Sequence, residues 1–581
     1  MDSKSLSSSR TRKSRDSQRR VPFGKGTRRK PTISFSDRVF ESELRRILSV
    51  CDSREPGEPG STSVDLASSR NPLTVASEYL IGKLMSKYDP GTKHGLAARK
   101  AKAMERFWEG EETCFWQNIK FSQETWAIDR SYPALHRARQ LISSWLHDGL
   151  TAADGPLERI SRGFGWGPGA STRLPRARGD ACYKYSGSPE VSPNAYSLAE
   201  AAICSDPSWI QELRLADEAP VVTWGSRLDT VPKNSETERV ICVEPDLNMY
   251  LQKGLGKYLR DILRTVGCDL NDQSNNQDAC AGDAWRRLAT VDLSMASDTV
   301  SQGLVRYLFP PWLTDFVAQT RSEFAVLPDG TLHRLCKVSS MGNGYTFELE
   351  SMIFYAIALS VTPTEGHNDV WVYGDDIIVP RESVPELRSV LEFCGFTFNA
   401  EKSYSEGYFR ESCGVHFYRG YDVTPFYVRR PTRTLEDLFL LHNNLQRWVA
   451  RLDRQGLLTR CLFDNLNRLL SKIRSLAPAK WRRPRLPDGY GDGAFIGSFS
   501  HCNPKVNKDG WEYFDIVVWE ESPAIVDVEV PGLLVKALHN LHKRKRLDPK
   551  LQIWEPTFGA LPSSGRGRRE CKIHVPWAAF G

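Results

Sequence analysis

The residues of this chain best suited to chemistry lie between Val370 and Val379. Two short β-branched, apolar runs there flank Gly374-Asp375, a dipeptide of the kind that closes a tight hairpin. Asp375 and Asp376 then stand together at the tip, where neither carboxylate is buried cheaply without a counter-charge. Such a tip is a cradle for a divalent cation; the competing reading is a surface turn that happens to be acidic. A third acid favours the cradle. Leu288 to Asp292 is a short strand ending in an acid, and adjacent strands of one sheet would set Asp292 beside Asp375. Two carboxylates so placed bridge two Mg²⁺ ions about 3.5–4 Å apart, one ion activating an attacking hydroxyl and the other neutralising leaving phosphate oxygens. Asp376 would serve as a helper, an outer ligand or a residue tuning the first acid. Acids without His or Cys suit magnesium, which takes hard oxygen donors.

The elements that must hold these acids follow from periodicity. From Thr223 to Lys257 strand-like runs alternate with Arg227, Lys233 and Arg239, which puts cations on a ribbon. A helix over about Asn248 to Thr265 carries Leu251, Leu255, Leu259 and Leu263 on one face, with Lys253, Lys257, Arg260 and Arg264 as a solvated basic face. The glycine-bearing turn Ser339 to Gly344 opens an apolar helix over Phe347 to Val361. After the hairpin, Ser383 and Glu386 read as a capping box, and Gly395 as the stop of that helix. Further helices are expected over Leu73 to Lys87, Tyr132 to Leu146, from the cap Thr434 onward, and Arg460 to Leu476. The glycine cluster Gly163 to Gly169 lacks the strand–helix context of a nucleotide fingerprint and reads as a structural loop. Asp488 to Gly493 reads as a turn and not a calcium loop.

At 581 residues the chain is too long for one core; roughly three to four domain-sized units is the expectation. A 40% hydrophobic and 26% charged composition is that of a globular protein. The net charge of +7 is concentrated: Lys and Arg crowd the first thirty positions, opposed only by Asp2 and Asp16. That arm reads as a disordered polyanion-binding segment or as a solubilising tail. The thirteen cysteines form no CxxC pair, as expected of reduced thiols in a cytosolic protein. There is no zinc spacing, no apolar signal core after the basic start, and no run of eighteen apolar residues. A soluble intracellular protein is expected.

Tyr373-Gly-Asp-Asp376 resembles the signature of RNA-dependent RNA polymerases, and Asp292 with Asp298 resembles their first palm motif. The stretch from about Val231 to Tyr427 is similar, in order, to the replicase β-subunit of the small positive-strand RNA phages, the leviviruses. The match is carried by 270–274, Thr290 to Ser294, Ser340 to Phe354, Phe409 to Gly414 and Val423 to Tyr427, besides the hairpin. The resemblance implies that Asp292 and Asp375 bind the metals, with Asp376 as the third acid. It implies that Asp298 senses the ribose 2′-hydroxyl, and it puts Glu350 where many relatives carry an Asn. Two acids facing one hydroxyl need a proton on one of them or a cation between them. Lys233 and Arg239 resemble the basic ribbon over the incoming triphosphate, with Arg227 a weaker candidate. Lys402 lies where related polymerases place the lysine that protonates leaving pyrophosphate. Gly342, Asn343 and Gly344 match the turn past which template and nucleotide run, where a Cβ is excluded. Glu411 to Gly414 and His416 to Tyr418 match the grip on the product 3′ end.

The implied fold is an α+β right-hand polymerase: a basic arm and linker over 1–60, fingers and N-terminal region over 61–285, a palm of antiparallel sheet and helices over 286–420, a mainly helical thumb over 421–510, and a family-specific region over 511–581. The implied reaction is template-directed RNA synthesis from NTPs with two Mg²⁺ ions, Mn²⁺ being able to substitute. The implied setting is the cytoplasm of an infected bacterium, with RNA template and product, host elongation factors Tu and Ts and an S1-type ribosomal protein as partners, and no membrane. A reverse transcriptase is the rival enzyme, disfavoured because Ser294 to Ser297 offers no aromatic side chain to exclude a 2′-hydroxyl. A non-catalytic RNA-binding protein is the rival of another class, disfavoured because every metal-binding position is intact.

Overall fold

The computed structural model describes residues 36–49, 66, 70–544 and 563–574, apart from positions 90, 92, 124, 152–154, 235, 503, 507–511 and 524–529. The basic arm of the first thirty residues, and the linker that follows it over 50–60, lie outside the described residues.

In chain order, α1 (Asp37–Leu48) and α2 (Pro72–Leu84) open the fold. Ser36 caps the first helix through the Val39 amide, and Asn71 with Pro72 starts the second. Next come α3 (Lys93–Lys120) and α4 (Pro133–Thr151). The basic ribbon expected from the sequence is the antiparallel pair β1 (Gly225–Pro232) and β2 (Glu238–Val243), registered Val231 to Arg239. It is followed by α5 (Asp246–Thr265), β3 (Leu288–Val291), β4 (Phe324–Val326) and β5 (Leu332–Arg334). The apolar helix is α6 (Thr346–Val361), and the acidic hairpin is β6 (Trp371–Tyr373) and β7 (Asp376–Pro380). Then come α7 (Val384–Phe393), a hairpin of β8 (Phe409–Ser412) and β9 (Val415–Tyr418), α8 (Leu435–Arg454) and α9 (Arg460–Ser475).

Two large cores organise these elements. The first buries nearly every residue of α6 against α4, α5, α7 and the sheet β3-β7-β6. A helix apolar all round is one enclosed on all sides. The second core joins α1 and α2 to α8 and α9, so the start of the described chain packs on helices some 350 residues later. Val428 N–H donates to Leu84 O within it. A smaller cluster docks α3 on the sheet ordered β2-β1-β4-β5 through Phe107, Leu228 and Val240. A late helix, Val530–Arg544, returns to the N-terminal half: Lys536 pairs with Asp180 at 2.9 Å and His539 with Asp206 at 2.6 Å.

Two local expectations are corrected. Ser383 is helical (φ −80°, ψ −16°) at the end of a 3₁₀ turn, and its buried hydroxyl caps nothing, so no capping box forms with Glu386. Proline at the helix start already removes one amide needing a cap. The basic face of α5 is partly structural: Lys253 donates to Trp166 O and Arg260 pairs with Glu348 on α6. Gly395 ends α7 as expected, at φ +90°, and Thr434 forms a capping box with Asp437. Cysteines among the described residues are free thiols. No helix among them is long and apolar enough to cross a membrane.

Candidate active site

Ile377 pairs with Val291 and Ile378 with Thr290, in the middle of the sheet β3-β7-β6. The apolar side chains of these strands are sealed in the core, which leaves the acids next along each strand, Asp292 and Asp376, at the same sheet end. The hairpin turn is the two residues Gly374 and Asp375, closed by the pair Tyr373–Asp376. Gly374 has φ +63° and donates to Ser351 Oγ on α6; a Cβ there would lie 2.6 Å from the Phe347 ring. The turn is therefore clamped to the central helix, and Asp375 is held by a rigid base.

The electrostatics of this end are those of crowded acids. Burial, then the Asp292 charge, raises the Asp375 carboxyl above its usual range. Burial, then Asp375, pushes Asp376 up to about 7. A divalent cation is the natural counter-charge for such a set, and three aspartates supply only the hard oxygens that magnesium takes. As they stand, no three His, Cys, Asp or Glu side chains among the described residues are gathered closely enough to cage an ion. Asp292 instead turns to the segment after α7: Oδ2 accepts from Asn399 Nδ2 at 2.6 Å and Oδ1 from Lys402 Nζ at 3.4 Å, while its N–H donates to Ser403 Oγ. Burial pulls Lys402 down, but Asp292, Glu411 and Asp375 outweigh it and hold the ammonium above its usual value.

Lys233 and Arg239 face this end from the ribbon. Burial lowers the Lys233 pKa, and Arg239, Arg106 and Lys402 lower it further, with Asp375 acting against them. Arg239, Arg106 and Lys402 thus stand near Lys233 beside the acid cluster, a concentration of positive charge suited to a polyanion. Arg227 is turned elsewhere, donating to Thr172 O.

Asp298 sits in the 3₁₀ turn Ala296–Asp298, and Lys337 reaches it with Nζ 2.9 Å from Oδ1. Glu350 on α6 is buried, and its carboxyl is raised well above the usual range by burial, then by Asp375 and Asp298. Lys337 thus supplies Asp298 with a cation, and burial pushes the neighbouring Glu350 towards its neutral form.

The scaffold itself requires Gly342 and Gly344. At φ +111°, Gly342 brings its backbone so close to β2 that a Cβ would lie 2.3 Å from Cys242 O. Gly344 is pressed in the same way on Lys253 N of α5, at 2.8 Å. The turn needs glycine to dock on its own scaffold. Asn343 folds back into it, accepting from the Tyr345 amide at 3.0 Å. The expected grip on a product 3′ end is also corrected in part. His416 and Tyr418 are core residues of β9: His416 Nδ1 meets Tyr79 OH at 2.9 Å, and Tyr418 OH accepts from the Arg70 amide. Of the residues named for that grip, Glu411 faces Lys402 and Asp292, and Cys413 lies against Asp376.

The sequence marks out neither Lys337 nor Arg106, and it points to no role for Asn399, close to Lys402, or for Arg410, inside the matched stretch Phe409 to Gly414. Arg410 is fully buried and donates to the carbonyls of Leu288, Phe409 and Trp285, tying β8 to β3. Only the tertiary contacts give these residues a part.

A sequence profile of the family described as "RNA replicase, beta-chain" matches residues 39–518. The RNA-directed RNA polymerase subunit beta of Enterobacteria phage SP is 40% identical over 515 residues, 87% of this chain and 85% of that one. The corresponding subunit of Escherichia virus Qbeta is 40% identical over 443 residues, 74% and 71% of the two chains. The beta chain of Escherichia phage MS2 is 48% identical over 226 residues, 39% and 41% of the two. Among solved structures, the RNA-dependent RNA polymerase of BmCPV at its elongation state overlays 61% of this chain and 33% of its own, with 12% identity and a TM-score of 0.33, too loose an overlay to argue from. With the profile spanning most of the chain and relatives aligned over most of both lengths, the chain belongs to the RNA replicase beta-chain family, the RNA-directed RNA polymerases of the leviviruses.

Proposed function

We propose that this polymerase copies a positive-strand phage RNA and its complement by two-metal nucleotidyl transfer, at the sheet end that gathers Asp292, Asp375 and Asp376. The carrying observation is the register of Ile377 on Val291, which sets acids 83 residues apart at one edge. Asp292, Asp375 and Asp376 would hold two Mg²⁺ ions, or Mn²⁺, which supply activation of the RNA 3′-hydroxyl and charge neutralisation at the phosphates. Lys233 and Arg239, with Arg106 beside them, bind and orient the triphosphate. Lys402 gives a proton to the departing pyrophosphate. Asp298 accepts from the ribose 2′-hydroxyl, and the turn at Gly342 and Asn343 forms the floor under the base.

In this reading the palm spans 286–420 and the fingers 61–285, and the thumb of 421–510 is completed by α1 and α2, which share its core. The 1–60 arm and the 511–581 region are further parts of the same assembly. The host proteins expected with it are elongation factors Tu and Ts and an S1-type ribosomal protein, in the cytoplasm of an infected bacterium.

Incorporation of labelled NTPs and dNTPs on an RNA template by wild type and Asp375→Asn tests the proposal. The variant should lose about a thousandfold or more in kcat while keeping the wild-type melting curve. An Asp375→Asn protein that still polymerises at the wild-type rate removes the assignment.

A further inference from the structure

Asp298 is held from one side only. Lys337 Nζ lies 2.9 Å from Oδ1, and among the described residues no donor reaches Oδ2, which stays open to a hydroxyl. The lysine itself is enclosed, its side chain 1% exposed against 19% for Asp298. Its ammonium also lies over the Phe107 ring at 4.4 Å, so α3 closes the far wall.

The backbone around Lys337 is equally fixed. Lys337 bridges to Ser301, three residues after Asp298, and Val338 N–H donates to Val300 O. Arg321, itself buried, donates to the carbonyls of Leu335, Lys337 and Val338. Both ends of the ion pair therefore belong to one braced unit. Little freedom is left to the head group.

A buried lysine is costly unless paired, and Asp298 is the acid this one pairs with. Glu350 and Asp375 crowd the same space. The paired ammonium pins the Asp298 carboxylate and with it the free oxygen.

We propose that Lys337 is the positioning residue for sugar selection: sealed between Phe107 and Asp298, it fixes the Asp298 carboxylate so that Oδ2 accepts from the 2′-hydroxyl of the incoming nucleotide. This rests on the reading of Asp298 as the sugar-facing acid. A site built to bond a hydroxyl rejects the analogue lacking it strongly, by up to about 10⁴-fold or more. Loosening the acceptor therefore lowers that rejection more than it lowers turnover.

The test uses the full chain, purified with the bacterial proteins that co-elute, on an RNA template. It reads kcat/KM for ATP, 2′-deoxyATP and 3′-deoxyATP in wild type, Lys337→Met, and the double variant Asp298→Ala with Lys337→Met, which strands no buried charge. Lys337→Met should lose roughly tenfold or more of the preference for ATP over 2′-deoxyATP, with 3′-deoxyATP, which keeps the 2′-hydroxyl, used as before relative to ATP. The double variant should lose at least as much. A Lys337→Met enzyme with wild-type preference, beside a double variant that has lost it, overturns the inference and leaves the sugar-facing assignment standing. A double variant with wild-type preference overturns that assignment and the inference with it. If Lys337→Met does not fold, Lys337→Arg is read in the same way, because a bulkier head group must shift Asp298: a lowered preference supports the inference, an unchanged one overturns it.

Discussion

Lys402 Nζ lies 3.4 Å from Asp292 Oδ1 across the sheet end, with 54% of the lysine side chain exposed against 16% of the aspartate's. The pair joins the strand acid of β3 to the segment following α7, and the same carboxylate takes a shorter bond from Asn399. The lysine holds the acid in line from the segment after α7.

With Lys402 as the proposed proton donor, Lys402→Met should lower kcat by about 10²-fold or more while KM for NTPs changes by much less, because a donor acts on the leaving group and not on ground-state binding. Lys402→Arg keeps the charge but donates poorly and should recover only part. Single-turnover incorporation, which isolates chemistry from product release, is the measurement.

Gly342→Ala should destabilise the fold by about 3 kcal/mol or more, since it sets a side chain at φ +111° and drives Cβ to 2.3 Å from Cys242 O. The denaturant midpoint reads this directly. Gly91→Ala is the comparison: it also has positive φ, but nothing lies within 4 Å of its Cβ position, so it should cost about 1 kcal/mol.

Arg410→Met should cost about 3 kcal/mol or more, because it strips donors from several buried carbonyls that join β8 to β3. Hydrogen exchange should quicken first at the amides of Thr290 and Glu411, on the strands this arginine ties together.

Two buried histidines make stability depend on acid. Burial, then the charges of Lys83 and Lys87, pushes His416 down to about 3. Burial also brings His442 to about 3, in contact with Arg474. The unfolded chain takes up these protons near pH 6.5 and the folded one only near 3, so between those values the unfolded state binds more protons. Stability from each site is complete above pH 6.5 and is lost progressively as pH falls towards 3. Unfolding midpoints of wild type and His442→Gln, measured against pH, should approach one another below about pH 6.5 as the wild type loses its advantage. Parallel curves would show that His442 takes up no extra proton on unfolding.

What the sequence determined by itself is local. Two-residue periodicity with Gly374 at a turn made the acidic hairpin, 3.6-residue periodicity made α5, α8 and α9, an apolar run made α6, and the ordered segments around Asp292 and Asp375 carried the family. These signals are legible because each rests on neighbours in the chain. Ser383 failed as a cap because the entry to α7 is set by the preceding 3₁₀ turn, a matter of chain direction that spacing does not encode. Tertiary structure alone decided that His416 and Tyr418 are core, that Gly342 answers to Cys242, and that Lys337 serves Asp298. It also decided that α1 and α2 complete a core with α8 and α9. Burial and counter-charge are properties of what surrounds a side chain in space, and a buried lysine reads like any other lysine until the fold encloses it.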